Sequence, residues 1–219
     1  MFVGHYGVSF GAKSADRSIP LWVLFLAVQL LDIIWAPLIL LGIEKVRIVP
    51  GITASNPLDL YYMPYTHGLI SAIVWSCVGG AAYYFFARPT AVRSGVIVGL
   101  AVFSHWVLDF IVHRPDLPLY GNSAKVGLGL WNRPAIALSL EALLLLGGIW
   151  LYFRGRLSES VGTFVFGALM IALQSYLFFG PPPVSDKAAA WSAIACYAVL
   201  TVVIWWLVDR RETARASEP

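Results

Sequence analysis

Charge is what this 219-residue chain has least of: Asp, Glu, Lys and Arg together make up 12% of positions, against 59% apolar residues. A soluble domain is usually about 25% charged, so the chain lacks the side chains to cover a water-facing surface. Cysteine is equally scarce. Cys77 and Cys196 both fall inside apolar runs, which excludes a disulfide scaffold and leaves the redox compartment unreported. No repeat recurs at a fixed period, and strand-like alternation over short segments is missing, which argues against a solenoid and a membrane β-barrel. Residues 1–12 contain His5 and no sustained apolar core, so no cleavable signal peptide is expected.

What the chain does have is long apolar runs. A bilayer core about 30 Å thick needs about 20 apolar residues per helical span. Six stretches qualify, at 21–43, 67–87, 95–113, 134–153, 161–180 and 188–208. The expected architecture is therefore all-α: a single integral membrane domain over 1–219, a six-helix bundle ending in a frayed polar tail at 210–219. Helices satisfy their own backbone polar groups, as lipid requires. Residues 2–14 are too short to cross and read as a half-helix entering the bundle, with His5 deep and Lys13 wet. The longest connections, 44–66 and 114–133, are rich in Pro, Gly and Asn and are expected to be ordered by packing rather than by regular structure. The short connections near 88–94 and 154–160 imply tight antiparallel neighbours.

The net charge of +3 does not point to nucleic acid, because the cations lie between apolar spans. Lys13, Arg17, Arg88, Arg93, Arg154, Arg156, Arg210, Arg211 and Arg215 fall on one side. Lys45, Arg47, Arg114, Lys125, Arg133 and Lys187 fall on the other. The first side has nine and the shorter loops, so both termini are expected in the cytoplasm of a multi-pass inner-membrane protein. Membrane lipids are its expected neighbours.

Ionisable groups inside a span are costly, at about +2.5 to +3.5 kcal/mol for an Asp at the helix centre, and they usually mark a site. Asp32 sits mid-span in the first run, one turn after Gln29 and before Pro37, which should free the carbonyl of Ile33. His105 and Asp109 are four apart and share a helix face. His113 lies a further four on and is expected to face outer water. His67 opens the second span at its rim, and Glu141 lies in the fourth. At 1.5 Å per residue, Asp109, Glu141, His105 and Asp32 lie roughly 6, 10, 12 and 16 Å from the outer ends of their helices. Two imidazoles and three carboxylates at similar depth suit a divalent ion such as Zn, Fe or Mn. Each residue also has a plainer reading. A buried Asp can bond to a neighbouring helix, Asp109 can orient His105, and Glu141 can pair with Arg114 or Arg133.

The run Ser104-His105-Trp106-Val107-Leu108-Asp109 resembles the S-H-x-x-L-D signature of the bacterial membrane-bound metal-dependent hydrolases, the LexA-regulated inner-membrane group. Gly4-His5-Tyr6-Gly7 is similar to the histidine near that family's N-terminus, and Tyr65-Thr66-His67-Gly68 keeps the Thr-His pair of its second motif. The resemblance covers residues 1–116. The sequence departs from the family at Leu31-Asp32, which keeps one acid of an acidic pair, and at the residues flanking Thr66-His67. The resemblance implies metal ligation by His5, Asp32, His67, His105 and Asp109.

The expected activity is thus hydrolysis of a lipid or other amphiphilic ester or phosphoester by a membrane-embedded divalent metal, zinc first. Glu141 is the expected general base, and Arg114 with His113 the expected substrate-binding pair. The alternative is a metal-ion or proton-coupled transporter using the same cluster. Haem ligation by His67 and His105, and a scaffold without chemistry, are further alternatives.

Overall fold

The computed structural model describes residues 1–87, 92–154 and 161–212. The protein is an all-α membrane bundle. Five helices are long and apolar enough to cross a bilayer: α4 (Leu69–Phe86), α5 (Val92–Val112), α6 (Pro134–Phe153), α7 (Val161–Phe179) and α8 (Asp186–Ile204). A sixth crossing is available from α2 (Leu21–Val28) and α3 (Leu30–Leu40) taken together. The last helix runs on through a π-helical turn, Trp205–Asp209, so the expected frayed tail is ordered as far as Glu212. Glu212 pairs with Lys13 at 2.9 Å and with the Tyr152 hydroxyl. Residues 213–219, with Arg215, lie outside the described residues, as do Arg88 and Arg156.

The first span is not one straight helix. It bends by 53° between α2 and α3. Proline did not set the place: Pro37 sits within α3, and the break falls at Gln29. Tertiary hydrogen bonds hold it there. Gln29 Nε2 donates to Phe2 O at 3.3 Å, and the terminal carbonyl of α2, Val28 O, bonds His105. The break also starts a new helix, which puts Asp32 in the first turn of α3, where the helix dipole favours a carboxylate. At the other end of α2, Asp209 accepts from Leu21 N at 2.7 Å and Trp22 N at 3.0 Å, satisfying two N–H groups that a helix start leaves open.

The N-terminal half-helix is present as α1 (Val3–Ala15). It lies against α6 with backbone in contact with backbone. A Cβ on Gly7 would collide with Leu144 O, and one on Gly148 with Gly7 O. The core around it is apolar: Tyr6, Phe10, Phe25, Leu145, Ile149 and Tyr152 are all nearly inaccessible. Lys13 departs from expectation. Its ammonium is buried, held by Glu212 and by Arg17 O at 2.9 Å. The expected close pair α4–α5 is formed by small residues, with Gly80 against the backbone of Gly95 and Gly99.

Both long connections contain regular structure after all. One holds an antiparallel hairpin, β1 (Lys45–Ile48) with β2 (Leu58–Tyr62), and the other holds β3 (Leu117–Tyr120) with β4 (Ser123–Val126). Their strands are four or five residues long, too short for the alternation to register as sequence pattern. Asp59 on β2 bonds both Arg47 and Arg114, which ties the first hairpin to the end of α5.

Candidate metal centre

All four histidines of the chain converge on two carboxylates. Asp109 on α5 is the hub. Its Oδ1 lies 3.3 Å from His5 Nε2, and its Oδ2 lies 3.2 Å from His105 Nε2, 3.4 Å from His113 Nε2 and 3.7 Å from His67 Nε2. Asp32 stands opposite, with Oδ1 at 3.2 Å from His67 Nε2 and 3.8 Å from His105 Nε2. The Met1 amino group also pairs with Asp109, and the Tyr197 hydroxyl donates to Asp32 Oδ2 at 2.5 Å. The His5 and His105 rings stack at 4.1 Å. The site draws on α1, α3, the segment before α4, α5 and α8, so it exists only in the folded bundle.

The outer nitrogens fix the rings. A carbonyl can only accept, so the 2.7 Å contact to Val28 O places the proton of His105 on Nδ1. His113 Nδ1 faces Asp116 Oδ1 at 2.9 Å, with the same consequence. His67 Nδ1 contacts Thr66 Oγ1 at 2.8 Å, and that hydroxyl gives its own hydrogen to Glu44 Oε2 at 2.6 Å. Glu44 Oε1 in turn accepts from the backbone N–H of Tyr65 and Thr66. Burial raises the Glu44 carboxyl above its ordinary range, against the pull of His67 and Thr66. In all three rings Nε2 faces carboxylate oxygens.

The donor set fits a divalent metal. His5, His105 and Asp109 bring three ligand atoms within 4.8 Å of one another, and Asp32, His67 and His105 do the same. His5 Nε2 and His105 Nε2 are buried without a hydrogen-bond partner. Imidazole plus carboxylate is the chemistry that Zn, Fe and Mn sites use. Outer-nitrogen contacts to a carbonyl, a carboxylate and a hydroxyl are the supports such ligands normally have.

The five ligand residues expected from the sequence are thus all brought together. Two depth expectations fail. His67 is not a rim residue and His113 does not face outer water; each is only 3% exposed, because the hairpin segments fold over the end of the bundle. Among the described residues Glu141 is paired with neither Arg114 nor Arg133. Its Oε2 accepts from Phe2 N at 2.9 Å and Gly4 N at 3.2 Å, and its Oε1 from Gln174 Nε2 at 3.2 Å. It caps α1, whose first N–H groups would otherwise be buried without partners. Arg114 is bonded to Asp59 and lies 3.3 Å from Asp116 Oδ2.

Four supporting residues escaped the sequence reading. Asp116 carried a signal, the three-residue spacing from His113. Thr66 stood beside His67 in a quoted motif. Glu44 looked like an ordinary acid at a span end, and Tyr197 like one apolar-span tyrosine among ten in the chain.

Beside the cluster lies a cavity of about 640 Å³, lined at one end by Asp32, His67, Asp109 and His113 and elsewhere by side chains of α7 and α8, the connection between them and the segment 55–60 that enters β2. Such a volume is in the range of small-molecule sites, roughly 300–1,000 Å³. Comparison with protein-family models, with curated proteins and with solved structures finds no match to this chain.

Proposed function

We propose that the protein is a membrane-embedded, metal-dependent hydrolase of an amphiphilic ester or phosphoester, a reading in keeping with its resemblance to the membrane-bound metal-dependent hydrolases. The observation that carries it is the convergence of four imidazole Nε2 atoms on two carboxylates, with Asp32, His67, Asp109 and His113 lining one end of a cavity. His5, Asp32, His67, His105 and Asp109 would hold the ion, zinc in the first instance, and a divalent metal there would supply Lewis-acid chemistry for hydrolysis. His113 lines the cavity and is backed by Asp116, so it would serve as the proton acceptor in hydrolysis. The Asp116 carboxylate fixes its tautomer and steadies the charged ring.

The transporter reading has less support. Beneath the cluster the helices pack through Phe10, Phe25, Val98, Ile149 and Tyr152, an apolar floor rather than a polar path. Haem is disfavoured by ring geometry: His67 and His105 lie 5.4 Å apart and address the same two carboxylates, so no macrocycle fits between them.

By the excess of Lys and Arg on one side, both termini are assigned to the cytoplasm of the inner membrane. Reporter fusions at the C-terminus test that placement, an outward-facing reporter overturning it. The central test is elemental analysis of the purified protein. Wild type should carry a stoichiometric divalent metal, and the double variant H105A/D109A should lose it; equal metal in both ends the proposal. With metal retained, H113A should lower kcat on a soluble ester or phosphoester by about 100-fold or more.

A further inference from the structure

Consecutive helices in a bundle normally pack together, but α7 and α8 scarcely touch among the described residues. α7 leans on α6 and α1, while α8 leans on α3 and α2, and α7 comes back into contact only at the π-helical turn Trp205–Asp209. The two spans therefore form a V that closes at that turn. The cavity described above fills the V. Leu173, Leu177 and Phe178 line one wall and Ala189, Ala193 and Cys196 the other, so bulky side chains on α7 face small ones on α8. Its inner end is the metal cluster. Two further lining residues carry buried atoms without a protein partner, the acceptor Gln174 Oε1 and the donor Trp35 Nε1.

We propose that this V is a lateral portal for one acyl chain of a membrane lipid. The chain lies between α7 and α8, and the polar linkage rests at the cluster, near Gln174 and Trp35. The inference builds on the hydrolase reading and names its substrate class. A lipid suits the walls because both belong to spans whose outer faces, at Leu169 and Val199, are themselves exposed to the bilayer. The chain thus passes from lipid to site without crossing water. A water-soluble ester would gain nothing from walls of this kind.

The test uses the full chain in nanodiscs containing a phospholipid with a diazirine in its acyl chain. After illumination, adducts are mapped by peptide mass spectrometry. Leu173, Leu177 and Ala193 should be labelled, and an excess of the same phospholipid without diazirine in its place at the cavity should suppress these adducts as a saturable site. Labelling at Leu169 and Val199 should only dilute in proportion. The variant A193W, which fills the V, should lose the adducts at Leu173 and Leu177 and keep those at Leu169. Cavity residues left unlabelled, or labelled no more saturably than Leu169, overturn the proposal. So does a dimer by native mass spectrometry with the cavity unlabelled, which gives the V to a second copy. Metal content of the same wild-type sample separates the two readings. Saturable cavity adducts without metal sink the hydrolase and leave the portal, whereas metal without such adducts does the reverse.

Discussion

Thr66 contributes a single hydroxyl, yet that group connects Glu44 to His67 and decides which ring nitrogen is free. T66V removes the link without changing the ligand. Metal affinity should fall by about 10–100-fold, as loss of an outer-shell partner usually brings, and T66S should restore it; isothermal titration with Zn reads both. Glu141 allows a sharper contrast. If it caps α1, then E141A leaves buried N–H groups open at about 1–3 kcal/mol each and lowers the melting temperature. E141Q keeps an acceptor and should retain turnover. A base would instead lose about 100-fold or more in kcat on the Gln substitution. At this scale the clustered histidines and aspartates were legible because ionisable residues are costly in lipid and therefore rare. Their partners were not, since Glu44 and Tyr197 meet the site across long separations that no spacing encodes.

At the level of elements, α1 is an insert whose position rests on glycine. Gly148 meets the backbone of Gly7, whereas Gly147 has nothing near its missing side chain. G148A should destabilise by about 1–3 kcal/mol through overpacking and should lower metal content, since His5 moves with α1. G147A should leave both intact, and the paired measurement checks the packing. The turn after α1 adds a pH dependence. Asp16 bonds the Ser18 and Ser94 hydroxyls, lies near Arg93, and is held below the ordinary carboxylate range. A depressed folded value means that its stabilisation is complete above the unfolded carboxylate range and fades as pH falls through the folded value. The gap in melting temperature between wild type and D16N should therefore shrink on acidification; a gap constant with pH overturns this. Five spans were legible in outline because about 20 apolar residues announce a crossing. The break at Gln29 was not, because bonds from Phe2 and His105 place it, and the visible Pro37 drew attention to the wrong turn.

For the molecule as a whole, composition alone was enough to identify an all-α membrane bundle, while the closure of its end by two hairpins was hidden in strands too short to show a period. That closure changed the expected exposure of His67 and His113. A site assembled from five separate segments should also link metal to stability. A ligand bound only by the folded state at 100 times its dissociation constant adds about 2.7 kcal/mol, so a chelator should lower the unfolding temperature and Zn should restore it, with H105A/D109A insensitive to either. One practical result follows from the fact that no imidazole is spent elsewhere in the chain. Imidazole resonances in a nitrogen-15 spectrum of the untagged protein come from this cluster alone, with no other histidine to subtract. An appended polyhistidine handle would forfeit that clarity and would compete for the very ion being measured.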